Sequence, residues 1–409
     1  MYDVLIIGGG ASGVYSAIRL SKAGLNVCLV EQEKELLKKL LKTGNGRCNF
    51  TNSYYDDNSY RGDVSLAKSV IDSFSYKDTI EFMNSIGVME VSKDGYYYPY
   101  TNKASSVSEL MIKNIPSSVT LALDMIVLDI NKMVGDYYHV TTSYKEFDCK
   151  RVVIATGGKA GYFFKNNDSQ GYGLATKLGH NITPLKPALT SLKLRDTDIY
   201  DWAGIRLRAG VTITNAKKDA VSYKAVGEVQ LTDYGISGIP VFEVSRYVTT
   251  SDEELYAVVD FLPDIDKLEA IALCNRIFNK DLTVVDALSG LFNPAITSIL
   301  IANAGVMPNQ LYSDLSPQDK DMIFEIAKGV FFKITGFQGF DKAQVTAGGI
   351  DTTEINLDTL ESKLYKDIYF AGEVLDVDGN CGGYNLQFAF ASANRCVDAI
   401  IKEFNDDTN

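Results

Sequence analysis

The sequence predicts an α/β protein whose main domain is built from two distant stretches of chain and interrupted by an insertion. Three observations predict it. Residues 3–7, DVLII, run into Gly8-Gly9-Gly10-Ala11-Ser12-Gly13 and then into VYSAIRLSKAG, which has helical spacing and ends on glycine. Near the C-terminus DIYFAGEVLDVDG (367–379) leads through three glycines into NLQFAFASA, another strand, glycine turn and helix. Between them LTSLKLRD, GIRLRAGVTITNA, AVSYKAV and EVQLTD alternate as strands, and helical patterns follow from residue 252.

The first strand is a short apolar run, as expected of a strand buried on both faces. Gly8, Gly10 and Gly13 then have distinct tasks. Gly8 permits the tight turn, Gly10 lets a pyrophosphate approach the backbone, and Gly13 lets the helix lie against the strand. Ala11 and Ser12 open that helix, whose N-terminal N–H groups and positive dipole end favour phosphate. A second strand, NVCLV (26–30), ends in Glu31 followed by Gln32. An acid about twenty residues past the glycines accepts hydrogen bonds from both ribose hydroxyls. Strand, glycines, helix, strand and acid in this order predict dinucleotide binding. The acid favours an unphosphorylated ribose, hence FAD or NAD over NADP.

The rest of the chain favours FAD. Residues 121–133 and 137–158 read as a run of strands, the last ending in Thr156-Gly157-Gly158 beside the nucleotide. The late strand ends in Gly372-Glu373, expected at the ribityl and pyrophosphate region. The helix after Gly382-Gly383 then directs backbone N–H groups near Asn385 and Leu386 at the flavin pyrimidine edge, which gains negative charge on reduction. On this reading Gly382 and Gly383 leave room for the isoalloxazine ring. No second strand-flanked GxGxxG follows, so a dedicated nicotinamide domain is not expected, and NAD(P)H enters only as a transient donor. The fold class is thus an FAD-binding Rossmann-like domain of the two-part, glutathione-reductase type.

Four blocks carry a further likeness: LLKTGNGRCNFTN (40–52), YYYPYTNKASSV (96–107), GEVQLTDYGISGIP (227–240) and AGEVLDVDGNCGGYNLQFAFAS (371–392). With them the chain resembles, over nearly its whole length, the bacterial aminoacetone oxidase-type FAD-binding flavoproteins, a group similar to the 3-dehydro-bile-acid reductases. The resemblance implies a three-domain FAD-dependent oxidoreductase. It also implies that Thr43, Gly44, Gly46, Arg47, Cys48 and Asn49 lie beside the pyrophosphate and flavin, and that Val127 touches the adenine through its backbone. The residues agree: this is a glycine-rich loop after a short basic helix, ELLKKLL, with Arg47 or Lys39 placed to offset phosphate charge. Two positions depart from the group's pattern, Asp233 where a histidine follows Thr232 and Cys381 where threonine is common.

The expected boundaries are 1–188 and 337–409 for the FAD-binding domain, 189–250 for a β-rich subdomain and 251–336 for a helical one. The tail EFNDDTN is expected to fray. The candidate catalytic residues are Asp233, Tyr384 and Asn49. Tyr96-Tyr97-Tyr98-Pro99-Tyr100 reads either as a binding wall or as a strand with aromatic packing, the second being preferred. Both histidines read as structural, His180 as a helix-end cap and His139 as exposed on a strand. Six scattered cysteines without a CxxC pair predict no metal and no disulfide framework, which fits a cytoplasmic protein. Covalent flavin attachment is not expected, with Cys48 the one thiol left open.

A net charge of −12 repels phosphate backbones, so nucleic acid and membrane surfaces are not expected as partners. The expected function is hydride transfer between FAD and a small or steroid-like substrate, with NAD(P)H-linked reduction of a conjugated C=C foremost. Oxidation of an aminoketone by oxygen and a non-enzymatic flavin-binding redox role are the alternatives.

Overall fold

A computed structural model describes residues 1–161, 170–195, 201–278 and 281–408. It has two compact units, one made of Met1–Pro187 with Gln344–Asn409, the other of Ala188–Ala343.

In the first unit the strand Tyr2–Ile7 lies parallel between Val27–Val30 and Glu146–Ile154, with Ile7 beside Val30 and Ile154. Thr120–Ala122 extends the sheet past Val27–Val30. On the far side Ile368–Phe370 runs parallel to the end of Glu146–Ile154, while Tyr137–Thr142 pairs antiparallel with its start. Val127–Met133 forms the outer edge. Residues Val4–Ile7, Val27–Val30 and Val152–Ile154 are all buried, which is why these strands are apolar without alternation.

The first helix, Ala11–Lys22, and the last, Tyr384–Thr408, pack side by side. Tyr15 donates its hydroxyl to Asn394 Oδ1 at 2.8 Å, Arg19 donates to the same oxygen at 2.7 Å, and Arg19 pairs with Asp398 at 3.0 Å. The two ends of the polypeptide therefore meet in one core.

The second unit is a closed antiparallel barrel in the order Leu192–Leu194, Gly235–Ser237, Ala225–Thr232, Arg206–Asn215, Leu255–Asp260 and Val330–Phe337. Trp202 is fully buried there, donating its indole N–H to the Thr232 carbonyl at 2.9 Å with its ring 5.3 Å from that of Phe332. Helices Ile239–Thr249, Lys267–Ile277, Pro294–Ala304 and Pro317–Lys328 share its core. Proline in the first turn and the Ser316–Asp319 capping box start the last of these.

Four expectations change. Residues 252–262, read as helical, hold the strand Leu255–Asp260, because Leu255, Ala257 and Val259 point into the core with period two. With Val330–Phe337, the stretch expected to be helical thus supplies two of the six barrel strands. ELLKKLL is not a helix of its own: Leu36, Leu37 and Leu40 are buried, Leu37 N–H bonds to Gly9 O at 2.9 Å, and a 3-10 run follows at Leu40–Gly46. The final helix continues to Thr408 through the tail expected to fray, of which Asn409 lies outside the described residues. Asp196, the last residue of LTSLKLRD, also lies outside them.

Candidate functional site

The glycine loop is closed to a side chain by backbone at Gly8 and Gly13 and by the Leu36 side chain at Gly9, and is open at Gly10. Gly8 has φ +107°, and a Cβ there would come within 2.5 Å of the Ala155 carbonyl oxygen. A Cβ on Gly13 would overlap the Gly8 carbonyl oxygen, so helix and strand touch only because both residues lack one. Gly10 caps the helix, and a Cβ on it would meet no protein atom within 4 Å. Its glycine therefore has no packing reason, which is what close approach of a ligand phosphate predicts.

Glu31 folds back on this loop. Its Oε2 accepts from Gly9 N–H at 2.5 Å and its Oε1 from Glu33 N–H at 2.8 Å. Burial lifts its carboxyl above the usual carboxylate range, against the pull of those backbone donors. Gln32 is half-buried beside it.

The second chain segment lands on the same loop. A Cβ on Gly372 would come within 2.7 Å of Ser12 Oγ, and Gly372 N–H donates to Ser392 Oγ at 2.9 Å. Glu373 accepts from Thr346 N–H at 2.9 Å and pairs with Lys39 at 2.5 Å. A Cβ on Gly158 would come within 2.8 Å of Glu373 Oε1, so the Thr-Gly-Gly turn and the Gly-Glu turn face each other. Lys39 is thereby bound to a carboxylate and joins the two segments.

The loop at 43–49 is held by Thr43 Oγ1 donating to Leu40 O at 2.7 Å and by left-handed backbone at Gly44, Asn45, Gly46 and Cys48. Cys48 is fully buried, and burial pushes its thiol up to about 12. A protonated, enclosed sulfur is a poor nucleophile for covalent attachment. Arg47 is exposed and rests on its own loop: its Nε donates to Gly44 O at 3.3 Å, and its guanidinium lies 5.5 Å from the Tyr98 ring centroid. Asn49 donates its amide to Tyr97 O at 2.8 Å and to Thr51 O at 3.2 Å.

At the last helix the reason given for its glycines is corrected. A Cβ on Gly382 would come within 2.5 Å of Tyr96 Cε1, and one on Gly383 within 2.8 Å of the Thr51 backbone. Both have positive φ, so protein packing and backbone shape account for these glycines. The first ladder bond of this turn runs from Gln387 N–H to Gly383 O at 2.9 Å. The N–H groups of Asn385 and Leu386 precede it and have no partner within the helix. The Asn385 side chain is bound back to Gly379, accepting from its N–H at 2.8 Å and donating to its carbonyl at 2.9 Å. Tyr384 is buried with its ring edge-on to Tyr60, 5.8 Å between centroids, and its carbonyl accepts from Tyr60 Oη at 2.9 Å.

Sequence reasoning missed Gln387. It is buried, accepts from Thr51 and Thr79 hydroxyls at 2.6 Å each, and donates to Phe74 O at 2.8 Å. It ties the helix start to the segment just after Asn49. An amide inside an otherwise apolar helical run was the signal. Val127 starts its strand buried, with its carbonyl accepting from Gln170 Nε2 at 2.7 Å. Asp233 stands exposed at a hairpin tip of the second unit, between Thr232 and Gly235. His180 is buried between Glu354 at 3.1 Å and Ser362 at 2.8 Å, not capping at the surface. His139 lies 2.8 Å from Asp148 on its strand.

These residues fit FAD. Gly10 and Gly157 are glycines without protein neighbours within 4 Å of a Cβ, and the buried Thr156 Oγ1 and Asn49 Oδ1 lack hydrogen-bond partners in the protein. Buried polar atoms are rarely left so, and a polar ligand satisfies them. Among the described residues, no group of three or more His, Cys, Asp or Glu side chains is arranged for a metal, and no helix is long and apolar enough to cross a membrane. None of the six cysteines forms a disulfide.

The HI0933-like protein Rossmann domain matches residues 2–399. The 3-dehydro-bile acid delta(4,6)-reductase of Clostridium scindens is 36% identical over 400 residues, covering 96% of this chain and 97% of the relative. The ribosomal RNA dihydrouridine synthases of Escherichia coli and Haemophilus influenzae are 27% and 26% identical, each over 98% of both chains. The chain belongs to the HI0933-like family, a family of FAD-binding Rossmann proteins, and is an FAD-dependent oxidoreductase.

Proposed function

We propose that this chain reduces a carbon–carbon double bond conjugated to a carbonyl in a small, steroid-like substrate, with NAD(P)H as the transient electron donor. One observation carries the reading: two helix N-termini, at Gly10 and at Gly383, belong to one core through Gly372 against Ser12 and the paired helices behind them. When bound, FAD supplies the hydride chemistry. The chain's part is to hold it. Gly8–Gly13 receives the pyrophosphate, Glu31 the ribose, and Asn385 and Leu386 N–H groups stabilise negative charge at the pyrimidine edge. Of the three candidate catalytic residues, Asn49 keeps a buried acceptor for cofactor or substrate, whereas Tyr384 is engaged in packing on Tyr60.

The relatives support this chemistry. A delta(4,6)-reductase and a dihydrouridine synthase have different substrates, but each name denotes saturation of a C=C next to a carbonyl system. Charge favours the small substrate over RNA. The second unit has 15 basic and 21 acidic residues and the first 25 and 31, so each is net −6. A cytoplasmic location belongs to the same reading.

The test is anaerobic reduction of the purified yellow protein by NADH and NADPH, followed by addition of a 3-keto-Δ4 steroid. Bleaching, then recovery of flavin absorbance with loss of the enone band, is expected. A colourless protein that takes up no FAD, or a flavin that neither nucleotide bleaches, overturns the reading. Bleaching by an aminoketone instead would select the oxidase.

A further inference from the structure

Asn49 is 6% exposed, and only one end of its amide is engaged. Nδ2 donates to Tyr97 O at 2.8 Å and to Thr51 O at 3.2 Å, while Oδ1 has no hydrogen-bond partner in the protein. Exchanging the amide's oxygen and nitrogen does not cure this. The oxygen would then face two carbonyl oxygens, so the free atom is an acceptor. Thr156 Oγ1, the other unpartnered atom named above, differs, because a hydroxyl turns its hydrogen to suit either kind of partner. Asn49 Oδ1 is satisfied only by a donor, and a buried acceptor left bare is costly.

Its place in the fold narrows which donor. Thr51 O, the carbonyl that takes the Asn49 amide, also crowds Gly383, lying 2.8 Å from where a Cβ would sit. Thr51 Oγ1 donates to Gln387 in the first turn beyond. A single carbonyl therefore links the Asn49 amide to the helix start, whose Asn385 and Leu386 N–H groups precede the first ladder bond at Gln387. The pyrimidine edge of an isoalloxazine runs N1, O2, N3–H, O4, which is a row of acceptors with one donor among them. Two N–H groups at a positive helix end suit N1 and O2. The neighbouring N3–H then requires an acceptor, and Asn49 Oδ1 is an unfilled one attached to that same turn.

We propose that Asn49 Oδ1 accepts the flavin N3–H, so that Asn49 and the helix start together recognise the pyrimidine edge, acceptor to donor and donors to acceptors. The proposal rests on the FAD reading and deepens it by naming the residue that selects an unsubstituted N3. It also changes the part expected of Asn49 in the chemistry. A carboxamide has no titratable proton at neutral pH, and its Nδ2 hydrogens are already placed on two carbonyls. Asn49 therefore determines which flavin is held, and the proton that saturates a C=C comes from another group.

The test titrates the flavin-stripped full-length protein with FAD and with 3-methyl-FAD, in which a methyl group replaces the N3 hydrogen, and follows flavin fluorescence. Wild type is expected to bind 3-methyl-FAD roughly tenfold or more weakly than FAD. Asn49→Ala removes the acceptor and makes room for the methyl, so FAD binds roughly fivefold more weakly and the preference over 3-methyl-FAD shrinks to within about twofold. An asparagine that only braces its loop through Tyr97 O and Thr51 O gives a different result: the variant then weakens both flavins by one factor and keeps the wild-type preference. Asn49→Ser, whose hydroxyl still donates to a carbonyl, carries the same expectation where Asn49→Ala does not fold. Equal binding of the two flavins by wild type, which needs no variant, overturns the assignment while the FAD reading stands, and so does an undiminished preference in the variants. Wild-type protein that takes up neither flavin overturns the assignment and the FAD reading together.

Discussion

The two glycine-rich helix starts of the first unit look alike in sequence and differ in cause. At Gly8–Gly13, Gly8 is required by the neighbouring strand, Gly9 packs against Leu36, Gly13 is required by the helix's own approach to Gly8, and Gly10 is required by nothing in the protein. At Gly382–Gly383 both are required by the protein, through Tyr96, the Thr51 backbone and positive φ. The lesson is that a glycine before a helix marks a ligand only where a side chain would otherwise have room. The first loop leaves open room beside Gly10, and the second is shaped by the protein packed against it.

The comparison breaks most sharply at Gly13. Gly13→Val is expected to cost about 3 kcal/mol or more, since the overlap is with backbone. Urea unfolding and FAD content both report it, and a stable, yellow variant would refute the packing argument. Gly383→Ala is expected to cost about 1–3 kcal/mol through strain at φ +93° and contact with Thr51. Wild-type stability in that variant would restore the ligand explanation for this turn. Gln387→Leu leaves the Thr51 and Thr79 hydroxyls and the Phe74 carbonyl without their partner, an expected loss of about 2 kcal/mol with weaker flavin retention. Gly10→Ala is the opposite case. FAD-free protein is expected to unfold within about 0.5 kcal/mol of wild type, while FAD affinity falls roughly tenfold or more. Equal losses in both quantities would erase the distinction between the loops.

The gentlest probe is pH. Burial holds the His180 imidazole below its ordinary pKa, outweighing the Glu354 carboxylate beside it. The unfolded chain therefore binds a proton that the folded one resists, so stability rises with pH across this titration. The contribution is present above the unfolded pKa of about 6.5 and fades as pH falls below it toward the folded value. Urea midpoints at pH 5 and pH 7.5 should differ less in His180→Asn than in wild type.

Most of the first unit was legible because its signals are local. An apolar run, a glycine spacing and an acid at the next strand's end require no knowledge of the rest of the chain. The barrel was legible only in part. Its first strands alternate visibly, but Leu255–Asp260 lies beside helical sequence and Val330–Phe337 follows four α-helices, so closure depends on pairings far apart in the chain. The site divides the same way. The positions of Gly8, Gly13 and Gly372 followed from backbone rules, whereas the destinations of Arg47 onto Tyr98 and Lys39 onto Glu373 depend on which side chains tertiary packing brings within reach. Gln387 went unread because a buried amide is recognisable only once its three partners are in place.

The split origin of the central sheet has a consequence for biosynthesis. Val152, Val153 and Ile154 receive their outer neighbour, Ile368–Phe370, only after the intervening unit has been translated. A nascent chain paused before that point presents a short, wholly apolar sheet margin to its surroundings. Chaperone engagement should therefore end abruptly as the last strand emerges, and truncations upstream of it should accumulate as insoluble fragments.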